Sequence, residues 1–139
     1  MTWFITNAVA KSMADDFTAS LDAGTAGVFR ILDGSIPADA DTAETGTLGG
    51  TLTCSATSSP SATDAGPGAL LTFSAITDDS SADASITTTY FRLLTQTGGT
   101  VIAQGQCGTS GQELNWNTVS ITSGSTLSIT SFTVTLPES

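Results

Sequence analysis

After Gly24 the chain never returns to a helical period. It runs as short Thr-rich segments in which apolar and polar residues alternate: GVFRILDG, TLGGTLTCSA, GALLTFSAI, SITTTYFRLL, TVIAQGQC, LNWNTVSI and TLSITSFTVTL. Alternation of period two sends successive side chains to opposite faces of a strand. Phe29 and Ile31 then share a face opposed by Arg30, Leu71 and Phe73 oppose Thr72 and Ser74, and Phe91 and Leu93 oppose Tyr90 and Arg92. Gly, Pro, Asp and Ser clusters punctuate the strands. SIPADADTAETG and TSSPSATDAGPG read as loops, and Gln96-Thr97-Gly98-Gly99 reads as a hairpin link. Gly49-Gly50 marks a bulge or a close backbone approach. In the last run Leu127 and Ile129 take one parity and Phe132, Val134 and Leu136 the other. A bend near Thr130-Ser131 reconciles them, as where a strand crosses between two sheets.

Before Gly24, Val9, Met13, Phe17 and Leu21 recur every fourth residue and predict one helix over about residues 7–22. Thr6 or Asn7 caps it and Gly24 stops it, while Asp15 and Asp16 lie off the stripe as solvated residues. Seven or eight short strands and one helix in 139 residues make a single domain. The fold expected is mainly β: an antiparallel β-sandwich, jelly-roll or Greek-key like, with one N-terminal α-helix. Residues 1–6 form an apolar N-terminal tip, 7–23 the helix packed on the sandwich, and 24–139 the sandwich. Trp3, Phe4 and Ile5 of the tip either fold back onto the domain or dock on a partner. Trp116 carries the same two readings, core or docking.

Charge narrows function. Thirteen acidic residues face Lys11, Arg30 and Arg92, a net charge of −10, so phosphate neutralisation has almost no cations to draw on. Nucleic acid and anionic membranes are not expected partners, and no apolar run approaches the ~20 residues of a spanning helix. The start MTWFITNAVAKSMADDF has no basic, then apolar, then small-residue pattern of an export signal. Cys54 and Cys107 are accordingly expected as two reduced, buried thiols rather than a bridge.

No histidine occurs, which removes the usual general base of Ser-His-Asp or Cys-His chemistry. Neither glycine pair belongs to a phosphate-binding motif. Carboxylate pairs remain: Asp78, Asp79 and Asp83 in DDSSAD, and Asp39, Asp41 and Glu44 in DADTAE. Calcium loops space their oxygens alternately around a turn glycine, which DDSSAD lacks, so Asp78, Asp79 and Asp83 are only weak metal candidates. Solvated turns with Asp capping local amides are the stronger reading, and DDSSAD reads as the hairpin link between the Leu71/Phe73 and Phe91/Leu93 strands. No enzyme activity and no cofactor are expected.

The succession TNAVAKSMADDFTASLDAG, FRILDGSIPADADTAETGTL, AITDDSSADASITTTYFRLL and GTSGQELNWNTVSITSGSTLSITSFTVTLP resembles a family of small tailed-bacteriophage virion proteins. Such proteins are similar to head decoration (cement) proteins. The resemblance implies a structural role on the outside of an assembled phage head, assembly in the host cytoplasm, the major capsid protein as partner, and copies of the chain itself as a trimer. Relatives are expected to carry small or apolar residues at Cys54 and Cys107. The docking elements this suggests are the tip residues Trp3, Phe4 and Ile5 with the neighbouring helix, and Trp116. A tail- or fibre-associated module and a glycan- or host-binding β-sandwich are the alternatives.

Overall fold

A computed structural model describes residues 3–138. Of the domain ranges expected, residues 1, 2 and 139 lie outside the described residues. The chain is mainly β, with one helix, α1 (Asn7–Leu21), and eleven strands among the described residues. β1 (Val28–Leu32), β2 (Leu48–Cys54), β7 (Tyr90–Leu94) and β8 (Val101–Gly108) carry most of the regular pairing. With β5 (Ile76–Thr77) and β9 (Leu114–Asn115) they form a six-stranded sheet of order β5-β2-β1-β7-β8-β9. β3 (Thr63–Asp64), β4 (Ala69–Thr72) and β11 (Thr133–Leu136) form a three-stranded sheet of order β11-β4-β3. β6 (Ile86–Thr87) and β10 (Ser120–Ile121) make a two-stranded ribbon. All pairs are antiparallel except β8 with β9.

The alternation places the core as expected. Phe29, Ile31, Phe91 and Leu93 of the six-stranded sheet meet Phe73 and Phe132, which continue β4 and precede β11. Phe132 stands at the centre of the rings, edge-on to Phe29 and Phe73 with centroids 5.0 Å apart in both pairs. The chain bends at Thr130 between buried Leu127 and Ile129 on one side and Phe132 on the other. Leu127 bridges to Asp79, whereas 133–136 pair with β4, so the parity change is where the chain passes from one set of strands to another.

β7 is buried along both faces. Its polar parity is covered by the loop 33–47, which the side chains of β1, β7 and β8 hold down. Tyr90 Oη accepts from Thr45 N at 2.9 Å and donates to Thr45 O at 2.7 Å. Arg92 donates to Thr42 O and to Gln104 Oε1, and Gln104 Nε2 donates to Pro37 O. Arg30 lies directly across from Arg92 in the register, a like-charge pair that would repel. Glu44 of the same loop forms an ion pair with Arg30 and offsets that repulsion.

The helix spans the expected range, but its C-cap is Asp22, and Gly24 does not adopt the left-handed conformation of a glycine stop. Thr6 caps α1, its hydroxyl accepting from Val9 N. The expected stripe holds in its second half, where Leu21 is buried and Phe17 packs on the core, and fails in its first. Ala10, Ala14, Thr18 and Leu21 are buried, whereas Val9 and Met13 are 46% and 49% exposed. A spacing of four advances about 40° beyond a full turn at each step, so a row of every fourth residue walks around the helix. The buried row returns to its face by closing with a step of three. Its small side chains let α1 lie close on β4 and β11. Asp15 also departs from its expectation of solvation: half-buried, its carboxylate accepts from Ala62 N at 2.7 Å. It thereby ties the helix to the segment before β3.

DDSSAD is not a hairpin link, since β4 and β7 belong to different sheets. The segment passes along the edge of β2 and then forms β6 with β10. Asp79 anchors it: Oδ2 accepts from Thr51 N at 2.9 Å, Oδ1 from Ser81 N at 3.0 Å, and the backbone exchanges hydrogen bonds with Leu127 in both directions. The glycine pair makes this fit possible. The β1–β2 register skips from Ile31↔Gly50 to Leu32↔Leu48, leaving Gly49 as the extra residue of a bulge. A Cβ on Gly50 would overlap Leu127 Cδ1 and lie 2.7 Å from Asp79 Oδ2. Both halves of the expectation, bulge and close approach, therefore apply. Gly50→Ala should destabilise the fold by about 1–3 kcal/mol through overpacking, whereas Thr63→Ala, at an exposed position, should change it by under about 0.5 kcal/mol; urea denaturation of the two variants checks the difference.

Candidate functional site

The residues singled out by sequence do not converge on one site. Trp3 and Phe4 are 73% and 68% exposed. Ile5 behaves differently: it is half-buried against the Ala10, Ala14 and Leu71 cluster, and its amide donates to Glu138 O at 3.0 Å. The tip is thus both folded back and presented, with Ile5 as the anchor and Trp3 and Phe4 offered to solvent. Val9 and Met13, one helical turn apart, add two more exposed apolar side chains just downstream. Exposed apolar groups concentrated in so short a stretch form the principal surface feature among the described residues. The sequence puts the neighbouring helix among the docking elements, but its period assigns Val9 and Met13 to the packed stripe.

Trp116 is half-buried, packed on the core from the end of β9. Its Nε1 is buried without a hydrogen-bond acceptor. Cys107 lies beside it, and burial pushes the Cys107 thiol up against smaller opposing effects of Thr88 and Trp116. Burial, with the Asp22 carboxylate adding to it, pushes Cys54 up to about 12. Both cysteines are buried and unbridged.

The acidic candidates are spread over separate tasks. Asp79 holds backbone amides, Asp83 contributes its own amide to Gly49 O, and Asp78 is exposed. No group of three His, Cys, Asp or Glu side chains able to hold a metal ion occurs among the described residues. In the other acidic run, Asp39 Oδ1 accepts from both the amide and the hydroxyl of Thr42, bonds that hold its carboxyl below the usual range. Glu44 takes Arg30. Carboxylates so occupied close turns and pin loops.

A half-open cleft of about 520 Å³ lies between β9, β10 and the segment 122–131. Leu114, Ile121, Leu127 and Ile129 underlie it, Trp116 forms part of its wall, and Asn, Ser and Thr side chains make the rest. No signal in the sequence marked this site beyond Trp116 itself, because its lining is contributed by turns and by a two-residue strand.

The thiolate is the reactive form of cysteine, so native protein near neutral pH should react with an aromatic disulfide reagent far more slowly than denatured protein, which should release two equivalents. A folded-state value raised above that of the unfolded chain means that the contribution of Cys54 to stability is fully present below the ordinary thiol range of about 8.5. It is lost as pH climbs toward about 12. Loss of stability that begins above the ordinary thiol range and is reduced in Cys54→Ala checks the sign. For the carboxylates, the melting temperature should be the same in EDTA and in millimolar calcium; a rise with calcium would restore Asp78, Asp79 and Asp83 as ligands.

Comparison with protein-family models, with curated proteins and with solved structures returned no match.

Proposed function

We propose that the chain is a structural protein of a bacteriophage particle, a decoration or cement protein that binds the outside of the assembled head and stabilises it. The observation that carries this reading is the exposure of Trp3, Phe4, Val9 and Met13 beside a well-formed core. Large aromatic side chains held on an anchored backbone suit an interface, because their burial against a partner releases water at little further conformational cost. Ile5 and the Thr6 cap supply that anchor. The segment order described for the sequence supplies the virion context.

On this reading the domain is a β-sandwich, and support for it comes from the four phenylalanines that bridge the six- and three-stranded sheets. The partner is the major capsid protein, presenting an apolar hollow rimmed by basic residues as the complement of a net charge of −10. Copies of the chain sit as trimers at local threefold positions, each adding binding free energy to the assembled shell over its free subunits. A set of carboxylates already occupied with loop amides, in a chain without histidine, favours static support over catalysis.

Purified particles test the proposal. The double variant Trp3→Ala/Phe4→Ala should lower occupancy on the shell by about tenfold or more, as loss of aromatic anchors worth about 2 kcal/mol would. Its melting temperature should stay within the small range of exposed substitutions, since neither side chain is packed. Normal occupancy of the double variant would overturn the docking surface. Wild-type copies confined to one vertex or to the tail would overturn placement on the shell.

A further inference from the structure

The cleft beside Trp116 has a chemical character that the rest of the molecule lacks. In a chain with thirteen acidic residues, no charged side chain lines it. Glu113, next in sequence to the lining residue Leu114, turns away to accept from Gln106 N at 2.8 Å. A cleft without fixed charge offers no counter-ion to an anion or a cation, either of which would lose its hydration on entering. A neutral ligand is the one it suits.

The lining also specifies the ligand's polarity. Asn117, Ser120, Thr122, Thr126 and Ser128 are exposed, and their side chains make no hydrogen bond among the described residues. Hydroxyl and amide groups both donate and accept, which matches a ligand whose own groups do the same. Trp116 adds a large apolar surface. Because its Nε1 is buried, the N–H is closed to a molecule in the cleft, and contact with this side chain is through carbon. The negative face of such a ring attracts the weakly positive C–H groups on one side of a pyranose, while the hydroxyls around the sugar's edge reach the Asn, Ser and Thr side chains. A volume of about 520 Å³ falls in the range of small-ligand sites.

We propose that this cleft binds a neutral carbohydrate, one or a few hexose units, stacked on Trp116 and hydrogen-bonded by the hydroxyl and amide rim. A peptide segment is the less favoured occupant, because the floor residues Leu114, Ile121, Leu127 and Ile129 are each at least nine-tenths buried and leave no deep apolar hole for a side-chain anchor. The proposal is independent of the docking surface, whose residues Trp3, Phe4, Val9 and Met13 do not line the cleft.

The chain has two tryptophans, so a Trp3→Phe background makes Trp116 the only indole and its fluorescence a local reporter. Maltotriose, cellotriose and chitotriose are titrated as neutral probes, with sialyllactose as the anionic control and a Ser/Thr-rich hexapeptide as the peptide control. The expected result is a saturable change with at least one neutral trisaccharide, half-complete at or below ~1 mM, and none with the anionic sugar. Asn117→Ala/Thr126→Ala, in which both side chains are exposed and unpartnered, should keep the melting temperature and weaken the response by about tenfold, equal to 1.4 kcal/mol. Trp116→Phe should leave a weaker affinity, read by calorimetry. No saturable response to any neutral trisaccharide up to about 20 mM, well above the ~1 mM scale of a weak specific site, would overturn the proposal. So would a response unchanged in the double variant, or one produced by the hexapeptide alone.

Discussion

Phe132 is the residue on which the arrangement of the sheets depends. Its ring lies edge-on to Phe29, Phe73 and Phe91, which come from different strands of two sheets. Edge-to-face contacts satisfy the ring quadrupoles as well as removing apolar area from water, so the cluster sets the separation and the angle of its strands together. Everything outside it follows from that placement. The bend at Thr130 exists because the chain must carry Leu127 to Asp79 and Phe132 to the ring cluster within a few residues. The glycine pair in β2 exists because Leu127 and Asp79 then press on the backbone there.

Around this core, carboxylates hold the loops. Asp15 reaches Ala62 N, Asp22 reaches Ser58 N, Asp33 reaches Thr47 N and Asp79 reaches Thr51 N, joining segments distant in sequence. An ionised acceptor makes a stronger bond to a backbone amide than a neutral one, and these bonds satisfy amides of loops and strand edges that have no strand partner. A chain of two-residue strands has many such donors. Its acidity is therefore partly a structural consequence of its short strands, and not only a surface property. This explains why the acidic runs carry no converging site although they look like one in the sequence.

The legible parts of the fold were those with enough residues to show a period. β1, β4 and β7 declare their faces through Phe29/Ile31, Leu71/Phe73 and Phe91/Leu93, and the helix declares its start through Thr6. β3, β5, β6, β9 and β10 have two residues each, too few for any period, and their pairing is imposed by tertiary contact. The helix face was misassigned because hydrophobicity outweighed geometry: Val9 and Met13 look like core, and Ala10 and Ala14 do not. Of the candidate surfaces, Trp3 and Phe4 were legible as aromatic residues at an unusual place. The cleft was not, because serine and threonine in turns give no sign of which ones face a common space.

The misassigned helix face and the uncharged cleft express one economy in how this chain distributes its few large side chains. Where α1 meets the sheet, alanines suffice, because close approach of backbones supplies the dispersion contacts that bulk would otherwise supply. Val9 and Met13 are left on the outside with Trp3 and Phe4. At the other surface, Trp116 buries its N–H beside Cys107 and also lines the open cleft. The Cys107 sulfur, a weak acceptor on which the Trp116 side chain acts, offsets part of the cost of burying that N–H. Trp116 thus belongs to the core and to the rim of the cleft at once, and its place on the rim is the one a stacked ligand would use.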